Sequence, residues 1–332
     1  MNLIHIWVFL VGLVVILYVM LDGFNLGVGM LFPGAANRAE QDVMMAAIAP
    51  VWDANQTWIV FGGGALFASF PMIYTVLFSA LYIPLFTFLF GLIFRGVAFE
   101  FRANSHQKHI WNRAFFGGSL VAAFAQGVTL GGYIEGIRVR AGIFAGGPWD
   151  WLTPFSIMTG VALTAGYMLL GAGYLIIKTT GPVQERAYRQ AFWAGGAVAL
   201  FLCIVAVWTP YHNPEFVANW LSRPRIYGVW VFPVLSAASF VLLFHHLKKR
   251  SEIQPFVWSL MIFLSAYLAL QSAIYPCAIL PDISVAEAAS QPETLIFTLW
   301  GVALILPVVL GYVWYSYRVF RGKVAYGDGY EQ

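Results

Sequence analysis

Charged side chains are scarce in this chain, because Asp, Glu, Lys and Arg make up only 10% of its 332 residues. A soluble domain carries roughly a quarter of its residues as charged side chains. Hydrophobic residues make up 60%, and the mean hydropathy is +0.75. This composition predicts a polytopic membrane protein, and the net charge of +3 gives no reason to expect a nucleic-acid partner.

Cysteine and histidine are also sparse, and their spacing does not match that of a metal-binding site. Cys203 and Cys277 lie far apart in apolar segments, without a CxxC or a Cys/His cluster, so neither a disulfide framework nor a metal site is predicted. None of the six histidines falls deep in an apolar segment, whereas a haem inside the bilayer needs His, Met or Cys as axial ligand. We therefore expect this chain alone to bind no haem and no metal.

Apolar segments of membrane-spanning length fill most of the chain. A span needs roughly 20 apolar residues. By that measure the sequence predicts an all-α integral membrane protein, one membrane domain over residues 1–332, with helices at 3–31, 48–70, 72–94, 112–133, 153–177, 189–208, 226–245, 255–277 and 293–320. The loops are short and no nucleotide-binding motif is present. A transporter, an intramembrane enzyme and a scaffold subunit remain as broad roles.

The basic residues predict the orientation. All but four of the 18 Lys and Arg residues fall in the loops after the first, third, fifth and seventh helices or in the C-terminal tail, the exceptions being Arg138, Arg140, Arg223 and Arg225. Because basic loops stay in the cytoplasm, we expect the N-terminus outside and the C-terminus in the cytoplasm.

Two carboxylates lie inside apolar segments. Asp22 is about 19 residues into the first helix, roughly 28 Å along it, and Asp53 is about five residues, roughly 8 Å, into the second. Both are thus predicted near the cytoplasmic edge of the bilayer. Ionisable groups at such positions are costly and usually functional, so we interpret both as candidates for proton exchange.

Amides and a hydroxyl accompany both carboxylates. Asn25 follows Asp22 at i+3, and Gln56 and Thr57 follow Asp53 at i+3 and i+4. These spacings predict two polar stripes that face each other and could hold water and relay protons. The alternative for the uncharged residues is hydrogen bonding between helices, worth about 0.6–2 kcal/mol each.

Glycines are abundant, 32 in all, and several cluster in the predicted spans. Gly23 and Gly27 form GxxxG in the first, residues 62–64 are three successive glycines in the second, and Gly171 and Gly173 lie in the fifth. Small residues let membrane helices approach closely. The sequence leaves open whether they serve internal packing or a docking face for a second subunit.

Four segments together resemble subunit II of the cytochrome bd quinol oxidases: DGFNLGVG at 22–29, PVWDANQ at 50–56, GGGALFASFPMIY at 62–74 and FRGVAFEFR at 94–102. The resemblance is dense over residues 20–102. Beyond them it rests on helix count, length and hydropathy, and the short length is similar to the cyanide-insensitive branch.

The resemblance implies a subunit of a bacterial inner-membrane enzyme that oxidises quinol and reduces oxygen to water with cytoplasmic protons. The haem b and haem d groups and the quinol site would lie in subunit I, with which this haem-free, nine-helix chain would form a pseudo-symmetric heterodimer. Membrane lipids and small single-helix subunits are further implied partners. Some members of the family also hold a structural quinone in subunit II, so a bound quinone or lipid is part of the expectation.

The resemblance also implies a site. The family's acids near the cytoplasm match Asp22 and Asp53, and Asn25 stands where a second aspartate is common, so the proton path would rest on the two aspartates. The sequence departs from the family at Ala54 for Gly, Gly96 for Pro and Glu100 for Asp. The supporting polar residues would be Trp52, Asn55, Gln56, Thr57, Asn25, Arg95, Glu100 and Arg102, with Arg95 or Arg102 balancing a nearby carboxylate.

Two rivals remain at this point. A proton-coupled secondary transporter could use Asp22 and Asp53, although transporters often show internal repeats and a midplane site, and neither is evident here. A pure assembly scaffold would use both carboxylates only to bond a partner.

Overall fold

The computed structural model describes residues 3–212, 226–280 and 283–324. The predicted loop residues Arg223 and Arg225 lie outside these ranges. The helices of the first half are α1 Leu3–Leu31, followed by a 3-10 turn Phe32–Gly34, then α2 Arg38–Ile48, α3 Trp52–Ser69, α4 Pro71–Ala80, α5 Tyr82–Ala103 and α6 Lys108–Glu135. The second half contains α7 Pro154–Lys178, α8 Gly181–His212, α9 Ile226–Val229, α10 Val231–Lys248, α11 Gln254–Ile274, α12 Val285–Ala288 and α13 Pro292–Val319.

The predicted all-α membrane fold is confirmed. Within the described residues, eight helices are long and apolar enough to cross a membrane: α1, α5, α6, α7, α8, α10, α11 and α13. The 18-residue helix α3 is not among them, because its first turns are polar. The count of nine spans and the orientation stay predictions. The end of the bundle that holds the connections α1–α3, α5–α6, α7–α8 and α10–α11 is called here the cytoplasmic end, following the distribution of basic residues.

The predicted third helix, 72–94, is wrong in both its continuity and its end. The chain forms two helices there, α4 and α5, which are separated at Leu81. Proline at a helical position removes an N–H and clashes with the carbonyl four residues earlier. For Pro84 that carbonyl belongs to Ala80, the last residue of α4.

Helices also run further into the charged segments than predicted. α5 continues to Ala103, so Arg95, Glu100 and Arg102 are helical rather than loop residues. Likewise α6 begins at Lys108 instead of 112, and α8 at Gly181 instead of 189. The reason is that several of these charges are paired inside the protein, as described below, and therefore do not end the helices.

The predicted second helix, 48–70, also begins too early. Ile48 is the end of a separate short helix, α2, and α3 begins only at Trp52. Pro50 lies between them and cannot continue a helix. Asp53 is consequently in the first turn of α3 rather than deeper along it.

Helix α1 lies at the centre of the bundle, packed against α3, α6 and α7. Its closest approach is to α7, where a Cβ on Gly27 would lie 1.8 Å from the Tyr167 carbonyl oxygen and one on Gly171 would lie 2.4 Å from the Gly27 carbonyl carbon. These glycines therefore serve internal packing. In contrast, a Cβ on Gly63 or Gly64 of α3 would meet nothing within 4 Å.

The opposite end of the bundle is closed by two short antiparallel hairpins. β1 Val139–Arg140 pairs with β2 Ile143–Phe144, and β3 Cys277–Ile279 pairs with β4 Ile283–Ser284. Cys277 thus lies in a strand rather than at the end of a helix, since α11 ends at Ile274. The hairpins lie at the helix ends on this side of the bundle. The polar cluster described next lies away from them.

Gly27→Ala tests the packing of α1 on α7. Because the added Cβ would overlap backbone atoms, we expect the folded protein to lose about 1–3 kcal/mol, seen as a lower melting temperature of the detergent-purified protein. Gly196→Ala is the matched control, since a Cβ there meets nothing within 4 Å. Equal melting temperatures for the two variants would contradict this packing.

Candidate functional site

An ion pair between two fully buried side chains joins α1 to α5. The Arg95 guanidinium donates to Asp22 Oδ1 at 2.8 Å, and the side chains are 2% and 0% exposed. The low dielectric of such a site makes each charge dependent on the other. Of the two arginines proposed from sequence to balance a carboxylate near the site, Arg95 is the one paired with Asp22.

Amide side chains extend this pair towards α3 and α13. The Asn25 amide donates to Asp22 Oδ1 at 3.3 Å. Asn55 on α3 donates to the Leu21 carbonyl at 2.9 Å, and its amide exchanges hydrogen bonds of 3.0 and 3.2 Å with the Tyr317 hydroxyl on α13. Asn55 therefore bonds α3 to α1 and α13, whereas the hydrogen bonds of Asn25 go to Leu21 and Asp22 of its own helix.

Tyrosines form the remaining wall of the cluster. Tyr18 and Tyr167 are both fully buried, and the Tyr167 hydroxyl donates to the Gln126 side-chain oxygen at 2.8 Å. Several buried polar atoms have no hydrogen-bond partner among the described residues: Asn25 Oδ1, Arg95 Nε and Nη2, and Ser119 Oγ. Buried polar groups of this kind are ordinarily satisfied by ordered water.

Asp53 lies on a different face of the protein. It is exposed at the surface of this chain, as is Thr57, whereas Asn55 between them is fully buried. The prediction that the Asp53 stripe faces Asp22 is therefore wrong. A helix turns by about 100° per residue, so the i+4 neighbour Thr57 shares the outward face of Asp53 and Asn55 turns inward.

The segment beside Asp53 contacts α5. The indole of Trp52 packs on Phe99, with ring centroids 5.0 Å apart, and approaches Gly96, where a Cβ would lie 3.6 Å from the indole. Gln56 is half-buried, and Glu100 is exposed on α5. The structure thus places Trp52 between the two helices but gives Glu100 no contact with the buried ion pair.

Arg102 organises a second polar cluster at the cytoplasmic end. Its side chain is 1% exposed and pairs with Asp42 of α2 at 2.7 Å. It also donates to the side-chain oxygen Oδ1 of Asn112 on α6 at 2.5 Å, and the Asn112 side-chain NH2 donates to the Gln41 side-chain oxygen on α2 at 2.8 Å. Arg102 therefore holds α2 against α5 and α6.

Helix α2 is held from its other side by α8. Glu40 is buried and accepts hydrogen bonds from Arg186 and, at 2.7 Å, from the Ala36 backbone N–H. The hydrogen bond from Arg186 holds the pKa of Glu40 below its ordinary value of 4.5. Together the two arginines fix the segment that connects Asp22 to Asp53.

Sequence reasoning missed several members of these clusters. Tyr18 lies four residues before Asp22, on the same helix face, and that spacing could have identified it. Gln126, Tyr167 and Tyr317 come from distant helices and gave no local signal. Within the described ranges, no three His, Cys, Asp or Glu side chains lie together as a metal site would need.

The family model for cytochrome bd terminal oxidase subunit II matches residues 3–320. Among curated proteins, the cytochrome bd-I ubiquinol oxidase subunit 2 of Escherichia coli K12 is 28% identical over 365 residues, covering 97% of this chain and 95% of the relative. The cytochrome bd ubiquinol oxidase subunit 2 of Bacillus subtilis 168 is 30% identical over 338 residues, covering 97% of each chain.

The fold is similar to that of a chain in the solved structure of the bd oxidase from Geobacillus thermodenitrificans. The TM-score is 0.78 with 18% sequence identity, over 96% of this chain and 99% of the other. The likeness therefore extends over nearly the whole length of both chains.

Arg95→Met tests the dependence of Asp22 on its cation. Losing one partner of a buried pair typically costs about 3–5 kcal/mol, whereas replacing both by apolar residues is often close to neutral. We expect a large drop in melting temperature for Arg95→Met and recovery of most of it in the double variant Asp22→Leu/Arg95→Met. If the double variant were as unstable as the sum of the single variants, the two side chains would not act as a pair.

The Glu40–Arg186 contact predicts a dependence of stability on pH. Because the pKa of Glu40 is lowered in the folded protein, its contribution is fully present above about pH 4.5 and is lost as the pH falls through the lowered value. We expect the wild-type protein to have a higher melting temperature than Glu40→Gln at pH 7. The difference between the two melting temperatures should become smaller below pH 4.5. A difference that does not change with pH would contradict this ion pair.

Proposed function

Because the chain belongs to the family of cytochrome bd terminal oxidase subunit II, we propose that it is the haem-free partner of a haem-bearing subunit I in a bacterial inner membrane. It is a multi-pass membrane subunit of a cytochrome bd ubiquinol oxidase, an oxidoreductase. In this proposal, quinol oxidation and oxygen reduction take place on haem b and haem d in subunit I. The present chain scaffolds that subunit and contributes to proton uptake from the cytoplasm.

The scaffold role is supported by large apolar side chains that stay exposed on the outer helices of this chain. In α13, Phe297, Trp300 and Leu304 are 79%, 74% and 74% exposed. The same helix is nevertheless anchored at both ends, by the Trp7 indole on the Leu295 carbonyl and by Tyr317 on Asn55. An anchored helix with an uncovered apolar face can pack against lipid or a second subunit.

The proton role is carried by one observation: Asp53 is an exposed carboxylate in the first turn of α3, beside the cytoplasmic end. A carboxylate there can exchange protons with water on that side. Asp22 is the inner group in this proposal. The Tyr18 hydroxyl lies beside its carboxylate, and Arg95 holds that carboxylate in place.

The cofactor and accessory partners of the complex belong to the same proposal. The implied haems would be ligated by subunit I, and membrane lipids, a structural quinone and small single-helix subunits remain expectations from the family. His5, one of the histidines of this chain, is hydrogen-bonded to the Tyr275 hydroxyl at 2.8 Å at the end of the bundle away from Asp22. Family membership gives the transporter alternative no support.

Asp53→Asn in the assembled oxidase tests the proton role. The amide keeps the size of the side chain but cannot carry a proton, so we expect oxygen consumption to fall at least about tenfold with haem content unchanged. Asp53→Glu should retain most of the activity. Thr57→Val, one turn away on the same exposed face, is the matched control and should turn over normally. Unchanged turnover of Asp53→Asn at full haem content would disprove the role.

A further inference from the structure

Helix α13 has little buried packing to hold it in position. Within the described part of the chain, only Leu295, Val313 and Ser316 of its 28 residues are buried. Helices in a membrane are held against their neighbours by packing and by hydrogen bonds between helices. With so little of the first, the position of α13 depends on the polar contacts near its two ends.

One of these contacts lies beside the inner carboxylate. Tyr317, in the last turn of α13, exchanges hydrogen bonds with the Asn55 side-chain amide. The same amide donates to the carbonyl of Leu21 at 2.9 Å, and Leu21 directly precedes Asp22. A shift of this end of α13 would therefore break the connection that runs through Asn55 to the backbone beside Asp22.

A buried lysine holds the chain immediately after Tyr317. Lys178, the last residue of α7, is 8% exposed, and its ammonium donates to the Phe320 carbonyl and, at 3.4 Å, to the Gly322 carbonyl. A buried cation is costly unless other groups replace its water, and a cation at the C-terminus of a helix also interacts favourably with the helix dipole. The lysine and the carbonyls that follow α13 thus stabilise each other.

The segment after α13 is fastened a second time, further along the chain. The Val324 backbone N–H donates to the Lys178 carbonyl at 2.7 Å, and Val324 forms a parallel β-bridge with the fully buried Thr179. The Val324 side chain packs against the main hydrophobic core. Residues 320–324, called here the strap, therefore lie against the connection between α7 and α8 at the cytoplasmic end of the bundle.

We propose that Lys178 locks the strap in place and thereby positions the end of α13. The locked strap holds Tyr317 against Asn55, which fixes the backbone beside Asp22. Lys178 is a positioning residue for the inner carboxylate of the proton path, and it acts through the strap and Tyr317. The inference rests on the proposed function, because it assigns Asp22 to proton uptake. It adds that α7, which carries none of the proposed path residues, controls the geometry of that path.

Hydrogen–deuterium exchange of the purified complex tests the strap. We expect the backbone amides of residues 313–324 to exchange about tenfold faster in Lys178→Met, because no ammonium then binds the carbonyls after α13. Lys248→Met is the matched control and should exchange like the wild-type protein, since Lys248 is the exposed last residue of α10. Val324→Pro removes the N–H at the other end of the strap and should reproduce the effect with Lys178 intact. Wild-type exchange in both Lys178→Met and Val324→Pro would overturn the strap.

Oxygen consumption by the same complexes tests the positioning role. At unchanged haem content, we expect Lys178→Met to lower kcat about fivefold and to leave the KM for quinol unchanged, because proton delivery is misaligned while quinol binding is not. Tyr317→Phe should have the same effect, and the double variant should be no slower than the slower single variant. Lys178→Arg keeps a cation that can donate to both carbonyls and should restore most of the turnover. Losses that multiply in the double variant would show that Lys178 does not act through Tyr317.

These measurements separate the positioning role from the proton role. A normal kcat for Lys178→Met, together with a slow Asp53→Asn, would overturn the positioning role and leave proton uptake standing. A normal kcat for Asp53→Asn would refute proton uptake and with it the positioning role. In that case the exchange of residues 313–324 would still decide whether Lys178 locks the strap.

Discussion

The buried pair of Asp22 and Arg95 is the constraint on which most of this fold depends. Each charge would cost several kcal/mol to hold away from water without its partner. The two residues are 73 positions apart in the chain, so α1 and α5 must meet at one depth and with one rotation. No other pair of described ionisable side chains is as completely buried on both sides.

The position of Arg95 then determines how α5 meets its other neighbours. Because Arg95 is helical, α5 extends to Ala103 and crosses α6 closely at Gly91 and Gly118, where a Cβ on Gly118 would lie 2.7 Å from the Arg95 backbone nitrogen. Two turns further along, Arg102 reaches Asp42 and holds α2. One continuous helix, α5, thus connects the buried ion pair to the polar contacts that fix the chain between α1 and α3.

Hydropathy predicted most of the spans because the bilayer imposes a length and composition that local sequence must satisfy. It failed at three kinds of place. Pro50 and Pro84 interrupt the helices within apolar segments that a hydropathy average over a sliding window treats as continuous. Arg95 and Arg102 are assigned to loops by hydropathy scales, because such scales score a charged residue without regard to its ion-pair partner. The rotation of α3 was misjudged because both of its faces carry polar residues, Asn55 on one and Asp53 on the other, and periodicity alone does not say which face is inside.

That ambiguity in α3 has a physical reason. Asn55 is satisfied within the chain, by the Leu21 carbonyl and Tyr317, and so belongs to the folding of the subunit. Asp53 has no ion-pair partner among the described residues and is exposed at the surface of this chain. Polar groups therefore occur on both the buried and the exposed face of this helix. The inner carboxylate, Asp22, is therefore paired with a cation of its own chain, whereas the outer one, Asp53, lies exposed at the surface of this chain.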